Sequence, residues 1–260
     1  MTAPLFHLSP GALEGAAVGS AIALTGAEGH HAATVMRIGV GEQVLLSDTR
    51  QTQAVGVVVA VGSGELTIQL SEITLQPADL PRLVLVQALA KDKRDLQAAE
   101  SATELGVDAI IPWQAERSVA RWKPGREEKK HAEWVNLVTA SAKQTRRTSI
   151  PEVRQLRTTA QYCQQIAGTQ EIGVVVLHEV QERSLRSCLT DLGALETSPA
   201  VQELHLVVGP EGGISEREIE QLTAAGAYPA RLGAHVLRSS TAGPAAIAGT
   251  QLLLGRWEWD

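Results

Sequence analysis

Residues 204–218, Leu-His-Leu-Val-Val-Gly-Pro-Glu-Gly-Gly-Ile-Ser-Glu-Arg-Glu, join an apolar run to a glycine-rich turn and a charged segment. Leu204–Val208 predicts a buried strand, and Ser215 followed by Glu218 fits a capping box that begins a helix. The three glycines and one proline between them exceed what a helix start requires, and glycine lets a ligand approach the backbone closely. The spacing matches neither GxGxxG nor a P-loop. The stretch therefore predicts a strand, a ligand-binding loop and a helix.

Strand and helix patterns alternate from residue 82 onwards, which is typical of a parallel sheet covered by helices on both faces. The predicted strands are Arg82–Ala88, Val107–Pro112, Ile172–Leu177, Leu204–Val208 and Ala230–Leu232. The predicted helices are Asp92–Leu105, Glu127–Lys143 and segments near 181–191, 215–225 and 241–255. Ligands bind at the carboxyl ends of the strands in such sheets, so we expect the chemistry in the loops that follow strands.

The first 76 residues follow a different pattern. Gln43–Asp48, Ala54–Val61 and Glu65–Ile73 are apolar runs separated by turn residues, which predicts strands of a small β-barrel. Residues 76–81 contain two prolines and predict a linker. The predicted organisation is a β-barrel domain of residues 1–76 and an α/β domain of residues 77–260.

Two further loops follow predicted strands. Residues 232–246, LGAHVLRSSTAGPAA, place Arg238 just before a helix of small residues, where the helix dipole disfavours a cation. An arginine there is expected to meet an anion or an electron-rich ligand, with a plain surface arginine as the alternative. His178 directly follows the predicted strand Ile172–Leu177, and a lone histidine at a strand end is more often structural than catalytic.

The charge distribution is strongly uneven. The net charge is −6, yet residues 117–157 contain eleven Lys and Arg against four Glu, a local charge of +7 that leaves −13 elsewhere. Such asymmetry lets a protein hold a polyanion on one face while the rest repels it. The alternative is a solvated helix face.

Cysteine content and hydropathy bound the location of the protein. Cys163 and Cys188 are too few for a disulfide framework or a zinc site, so no metal is expected. No apolar run approaches the roughly 20 residues that span a membrane. The opening residues, MTAPLFHLSP, lack the basic and apolar regions of a secretory signal. The expectation is a cytoplasmic protein without membrane partners.

Taken together, residues 207–220 and 232–246 resemble the SPOUT methyltransferases, and most closely the RsmE family of 16S rRNA uridine-N3 methyltransferases. The resemblance continues in HAATVMR (31–37), KDKRDLQAAESATELG (91–106), AERS (115–118) and ASAKQTRRTSIP (140–151). Two positions depart from the family pattern, because Lys143 and Ser240 stand where the family usually has an acid. A general-base role for that second acid cannot be carried over to this chain.

The resemblance implies a SPOUT-type parallel sheet with a deep trefoil knot, a PUA-like N-terminal barrel and a homodimer. It also implies S-adenosyl-L-methionine (SAM) as the cofactor, bent among the three knot loops. Its adenine would lie against Leu177, Leu232 and Leu237, and Gly209, Gly212 and Gly233 would keep that channel open. The expected cofactor-binding residues are Leu177, His178, Gly209, Pro210, Glu211, Gly212, Gly213, Leu232, Gly233, Val236, Leu237, Ser239 and Ala242.

The implied reaction is methylation of N3 of one uridine in 16S rRNA, expected at position 1498, in free RNA or in the assembled small ribosomal subunit. Arg238 is the candidate catalytic residue, because it can stabilise charge that spreads onto the uracil oxygens. The general base stays open among His178, Glu211 and solvent. The expected RNA-binding residues are Arg37, Arg117, Arg121, Lys143, Arg146 and Arg147.

Other functions remain as alternatives. A SPOUT ribose 2′-O-methyltransferase would carry an Asn-rich first motif and a different C-terminal motif. A non-catalytic rRNA-binding assembly factor would keep the fold without binding SAM. A nicotinamide dehydrogenase is disfavoured, because no predicted strand is followed by GxGxxG.

Overall fold

The computed structural model describes residues 3–257, so the outer ends of both predicted domains, at residues 1 and 260, lie outside the described residues. The chain forms two compact units. The N-terminal unit contains the chain up to Ala78 together with Ala142–Ile150. The C-terminal unit contains Asp79–Ser141 and the chain from Pro151 onwards.

The N-terminal unit is built on a five-stranded sheet. Its strands are β1 (Leu5–His7), β2 (Ala21–Leu24), β3 (Gln43–Ser47), β4 (Thr52–Val61) and β5 (Leu66–Leu75). Their order is β1-β3-β4-β5-β2, with β1 and β3 parallel and the other pairs antiparallel. The three predicted strands are confirmed, whereas β1 and β2 are too short to show a periodic pattern. A helix, α1 (Gly26–His30), and a π-helical turn over His31–Val35 complete the unit.

The segment Ala142–Ile150 is attached to this sheet mainly through its main chain. His7 Nε2 lies 2.8 Å from the carbonyl oxygen of Arg147, and Ser47 Oγ donates to the carbonyl of Thr148. A bridge between Thr49 and Ser149 continues the pairing. The two hydrogen bonds join residues 140 and 101 positions apart in the sequence, so the local sequence pattern does not reveal them.

The C-terminal unit contains a seven-stranded sheet in which every pairing is parallel, as predicted. Its order is β12-β10-β11-β6-β7-β8, with β9 also paired to β7. The strands are β6 (Arg82–Ala88), β7 (Ala109–Gln114), β8 (Glu152–Val153), β9 (Arg157–Thr158), β10 (Ile172–Leu177), β11 (Glu203–Val208) and β12 (Tyr228–Ala230). The central strands are buried along nearly their whole length, which explains their continuous apolar runs.

The other α-helices within the described residues are α2 (Arg94–Glu104), α3 (Glu127–Gln144), α4 (Thr159–Ile166), α5 (Leu185–Asp191), α6 (Glu216–Ala224) and α7 (Ser239–Leu253). Five of these match predicted helices, and α4 was not predicted. The strand predicted at Ala230–Leu232 is wrong by two residues, because β12 ends at Ala230. Pro229 lies inside β12 and weakens its strand pattern, and it is tolerated there because β12 is an edge strand.

A buried polar network lies near the amino end of β11. Arg154 donates to both carboxylate oxygens of Glu203, and His205 Nε2 lies 3.0 Å from Glu203 Oε2. The hydroxyl of Tyr162 lies 2.8 Å from His205 Nδ1. A carboxylate only accepts, so Nε2 of the neutral ring carries the hydrogen and Nδ1 accepts from Tyr162. The bond from Arg154 holds the pKa of Glu203 well below its usual range, and burial lowers the pKa of His205.

We expect the free energy of unfolding to fall in two steps on acidification. His205 has a lowered pKa in the folded chain, so its neutral form favours folding above about pH 6.5 and this benefit is lost below it. Glu203 has a lowered pKa as well, so its contribution is present above about pH 4.3 and lost as the pH falls further. Urea unfolding measured across this pH range tests both steps.

Glu203→Gln should remove the more acidic step. It should also lower the free energy of unfolding by about 3 kcal/mol, because Arg154 loses its partner in a largely buried site. Glu152→Gln is the matched control, since Glu152 also accepts from Arg154 but its side chain is 56% exposed. That variant should cost no more than about 1 kcal/mol. Equal losses in the two variants would contradict this account.

Candidate functional site

A cavity of about 680 Å³ opens beside the carboxyl ends of β10 and β11 and the loop after β12. These three strand ends coincide, because Leu177 is in register with both Val208 and Ala230. The cavity is lined by the chain around residues 177–180, 208–216 and 231–239. All thirteen predicted cofactor residues and Arg238 line it, although they come from loops far apart in the sequence.

The cofactor loop, residues 209–215, is held in a defined shape by local bonds. The Ser215 side chain accepts from the main chain of Glu218, and the Glu218 carboxylate accepts from the main chain of Ser215, so the predicted capping box is confirmed. Gly213 has a φ of +72°, which strongly favours glycine. At Gly209, a Cβ would lie 2.6 Å from Ile214 Cγ1, so a side chain there would force the loop to shift.

Gly212 has a different neighbour from the one expected. A Cβ at Gly212 would lie 3.2 Å from Arg117 Cβ and 3.4 Å from the Arg117 carbonyl oxygen. Arg117 Nη1 donates to the carbonyl of Gly212 at 3.2 Å. The absent side chain of Gly212 therefore makes room for Arg117 as well as lining the cavity. Only at Gly233, among the three glycines expected to keep the channel open, would a Cβ meet no atom within 4 Å.

Glu218 connects the cofactor loop to two other segments. Its carboxylate, in a residue that is 2% exposed, accepts from the main chain of Glu116 at 2.9 Å and from Thr159 Oγ1 at 2.6 Å. Ser215 Oγ also donates to Glu116 Oε2 at 2.7 Å. The loop after β7, the start of α4 and the cofactor loop thus meet at one carboxylate. The sequence predicts no role for Glu116 beyond its match to the family pattern at residues 115–118, and Thr159 carries no signal.

A second network fixes the start of α7. Gln87, which is fully buried at the end of β6, donates from Nε2 to Ser239 Oγ at 3.0 Å. Ser239 Oγ in turn donates to the carbonyl of Gly209 at 2.9 Å. Arg238 is the residue just before α7, and it is exposed at the cavity. The main chain of Arg238 is therefore positioned by an anchored neighbour. Gln87 was not singled out in the sequence, because an isolated glutamine in an apolar strand carries no motif.

The two side chains considered as general bases differ in their surroundings. Glu211 Oε1 accepts from the main chain of Lys91 at 3.1 Å and from Arg94 Nη1 at 3.4 Å, so it ties the turn after β6 to the cofactor loop. His178 Nδ1 is buried and has no hydrogen-bond partner within the described residues. Both residues line the cavity, and the two bonds to Glu211 share its Oε1 atom.

Comparison with known proteins identifies the family. Residues 77–251 match the model of the RNA methyltransferase domain, and residues 24–71 match the RNA methyltransferase PUA domain. Over 92% of this chain and 89% of the relative, the sequence is 39% identical to ribosomal RNA small subunit methyltransferase E of Mycobacterium bovis. The chain belongs to the ribosomal RNA small subunit methyltransferase E family. The predicted family is confirmed. The prediction that the protein is an rRNA methyltransferase is confirmed with it.

Two further relatives agree with this methyltransferase assignment. The Bacillus subtilis ribosomal RNA small subunit methyltransferase E is 30% identical over 89% of this chain and 91% of its own length. A methyltransferase of Legionella pneumophila, solved with bound SAM, is 25% identical and superposes with a TM-score of 0.78. That superposition covers 97% of this chain and 98% of the Legionella chain.

The six predicted RNA-binding residues of the methyltransferase fall in both units. Arg117 lines the cavity, and Arg121 Nη2 lies 3.5 Å from the carbonyl of Glu116, both in the C-terminal unit. Lys143 is paired with Glu28, so much of its charge is already neutralised. The residues that belong to the N-terminal unit are Arg37, Lys143, Arg146 and Arg147.

Residues 3–257 also lack two kinds of feature. Within that range, no three or more His, Cys, Asp or Glu side chains cluster in a way that could hold a metal ion. No helix in the same range is both long enough and apolar enough to cross a membrane.

Gly209→Ala in this methyltransferase should lower the free energy of unfolding by roughly 1–3 kcal/mol, the usual cost of overpacking. The added methyl would press on Ile214, which is buried, so the cofactor loop would shift and calorimetry should show weaker SAM binding. Gly233→Ala is the control, because its methyl would meet open space and stability should stay near wild type. If the Gly209→Ala protein keeps wild-type stability and SAM affinity, the close packing of Gly209 against Ile214 does not set the shape of the cofactor loop.

Proposed function

We propose that this protein transfers a methyl group from SAM to N3 of a single uridine in 16S rRNA of the small ribosomal subunit. The observation that carries the proposal is the convergence of all thirteen expected cofactor residues and Arg238 on one cavity. Family membership supports the RNA substrate, since the relatives are named for the small-subunit rRNA. The cytoplasm, where ribosomal subunits are assembled, is the proposed location.

The residues of the cavity fit SAM. Its volume of about 680 Å³ is within the usual range for a cofactor site, about 300–1,000 Å³. Leu177, Leu232 and Leu237 offer an apolar surface for the adenine, and the cofactor loop offers main-chain groups. The bound Legionella relative supports the same cofactor. SAM supplies a methyl group activated by its sulfonium, and the chain's own residues hold and orient the acceptor.

The acceptor must be prepared before it can react. Uridine N3 carries a weakly acidic proton and becomes nucleophilic only when that proton leaves, which spreads negative charge onto O2 and O4. The base must also be turned out of its helix to reach the cavity. Arg238 is exposed and lines the cavity, which supports the proposal that its guanidinium donates to the developing anion. The candidate general bases are His178 and Glu211, which both line the cavity, and solvent.

Arg238→Ala should lower kcat by roughly 10²–10³, the usual effect of removing one donor to a developing anion. SAM affinity should change much less, because main-chain groups and apolar side chains hold the cofactor. Arg238→Lys should recover little, since a point charge cannot reproduce the planar fork. Steady-state kinetics and calorimetry on both variants test this role. If kcat at saturation stays near wild type while stability or SAM binding falls, Arg238 is a structural residue.

The site of methylation separates this proposal from its alternatives. Purified protein incubated with SAM and small-subunit rRNA should yield 3-methyluridine after digestion to nucleosides. A ribose methyltransferase would give a 2′-O-methylated nucleoside instead. A non-catalytic assembly factor would bind the RNA and leave it unmodified.

We also propose that the C-terminal unit contains a deep trefoil knot. After β12, at one edge of the sheet, the chain returns so that α7 packs against α2, β6 and β11. Ser239, at the start of α7, is bonded to Gly209 in the loop that follows β11. A return path that threads this loop would close the knot. A crystal structure that traces residues 209–239 without threading would exclude it.

We also propose that the N-terminal sheet closes into a barrel and that the protein forms a homodimer. Phe6 of β1 and Leu24 of β2, at the two edges of the sheet, belong to one buried cluster, which supports closure into a PUA-like barrel.

Val236, beside the cavity, and Leu252, in α7, are more than half exposed, which supports a homodimer formed through the knotted region. Sedimentation equilibrium should then give twice 27.6 kDa, and a fully active monomer would exclude the dimer.

The N-terminal unit should bind RNA phosphates through Arg146 more strongly than through Lys143. Arg146→Ala should lower the salt slope of RNA binding by about 0.7, the value for one phosphate contact with single-stranded RNA. Lys143→Ala should lower it by less, because Glu28 already neutralises Lys143. RNA titrations at several salt concentrations measure both slopes. Identical slopes in wild type and Arg146→Ala would show that Arg146 is only a solvated charge.

A further inference from the structure

We propose that the β7–α3 loop, residues 115–126, binds the phosphate backbone of the acceptor strand and couples this binding to the cofactor loop through Arg117. The inference rests on the proposed function and goes beyond it, because it assigns the strand-binding element and a thermodynamic link between the two substrates. The β7–α3 loop, the cofactor loop and the cavity all belong to the C-terminal unit.

Arg117 is the residue at which the two loops meet. Its side chain is exposed, lines the cavity and donates from Nη1 to the carbonyl of Gly212. A guanidinium has five N–H donors, and this bond uses one of them. The contact brings the guanidinium to the edge of the cavity, with donors left for an oxyanion.

The main chain around Arg117 is fixed as well. The main-chain nitrogen of Glu116 donates to Glu218, and the Glu116 carboxylate accepts from Ser215. On the other side, Ser118 is buried and its main-chain nitrogen bonds back to Ala115. The cofactor loop and the β7–α3 loop therefore cannot shift independently near Arg117.

The rest of the loop has the character of a polyanion-binding surface. Arg121, Lys123 and Arg126 follow Arg117, and all three are exposed. Trp122 packs edge-on against Trp134, with ring centroids 6.3 Å apart, and Trp134 is buried. This contact anchors the middle of a loop that has no regular secondary structure.

The ligand of this loop is a phosphate chain in preference to the cofactor's carboxylate. The single carboxylate of the cofactor could be neutralised by one cation. Arg121, Lys123 and Arg126 lie outside the cavity lining and continue the positive charge along the loop. Successive phosphates of a strand whose base enters the cavity match such a run of cations. Arg117 is then the cation that faces the target nucleotide itself.

The Gly212 contact has a thermodynamic consequence. A cofactor that orders the cofactor loop also orders Arg117. The conformational entropy of that side chain is then lost when the cofactor binds, and RNA binding no longer has to overcome this loss. Binding of the cofactor and of RNA should therefore favour each other, and by linkage the effect is reciprocal. S-adenosylhomocysteine, the product left after transfer, allows the coupling to be measured without turnover.

The test compares Arg117→Ala and Arg117→Lys with Arg186→Ala, which removes the same charge from an exposed position on α5, outside the cavity and the loop. Affinity for a small-subunit rRNA fragment is measured with and without saturating S-adenosylhomocysteine, and SAM affinity is measured by calorimetry. In wild type and Arg186→Ala, the product should tighten RNA binding at least about fivefold. Arg117→Ala should lose this tightening, weaken RNA binding about tenfold and lower the salt slope by about 0.7.

Arg117→Lys should restore the salt slope but not the coupling, because a lysine cannot hold Gly212 and a phosphate in the same fork geometry. SAM affinity should remain near wild type in both Arg117 variants. The inference is overturned if Arg117→Ala matches Arg186→Ala, or if it weakens SAM binding and leaves RNA binding unchanged, which would assign the guanidinium to the cofactor carboxylate. Failure of the proposed function would appear in the wild type instead, as absence of methyl transfer to small-subunit rRNA.

Discussion

The site depends on the buried carboxylate of Glu218. A carboxylate taken out of water is costly unless donors surround it, and Glu218 receives donors from Glu116, Thr159 and Ser215. Each donor belongs to a different segment: the loop after β7, the start of α4 and the end of the cofactor loop. Removing the carboxylate would leave buried donors unpaired in all three segments. The shape of the cofactor loop and the position of Arg117 both follow from this one group.

The parallel sheet explains why these segments can meet. Parallel strands direct all their following loops to one edge, and the in-register ends of β10, β11 and β12 bring three loops to one cavity. The Arg154–Glu203–His205–Tyr162 network lies toward the opposite edge, near the start of β11. The ionisable groups of this network are thus separated from those that face the substrates. Loss of stability in acid and loss of methyl transfer should therefore be separable by mutation.

Much of the fold could be predicted from the sequence because its signals are local. The apolar run of β11, the turn 209–213 and the Ser215–Glu218 capping box lie within 15 residues, and each was predicted correctly. Pairings between distant residues left no such signal. The attachment of Ala142–Ile150 to the N-terminal sheet, the bond from Glu116 to Glu218 and the neighbour of Gly212 each depend on residues far apart in the chain. The family resemblance predicted which residues line the cavity. The structure shows the hydrogen bonds that hold those residues in position.

The most direct test of the account is the chemistry of the RNA itself. Mass spectrometry of nucleosides and mapped fragments of small-subunit rRNA should be compared between the parent strain, a strain lacking this gene, and that strain carrying the gene again. The account predicts that one 3-methyluridine disappears with the gene and returns with it, while every other modification is unchanged. A full complement of 3-methyluridine in the strain lacking the gene, or loss of a ribose methylation instead, would contradict it.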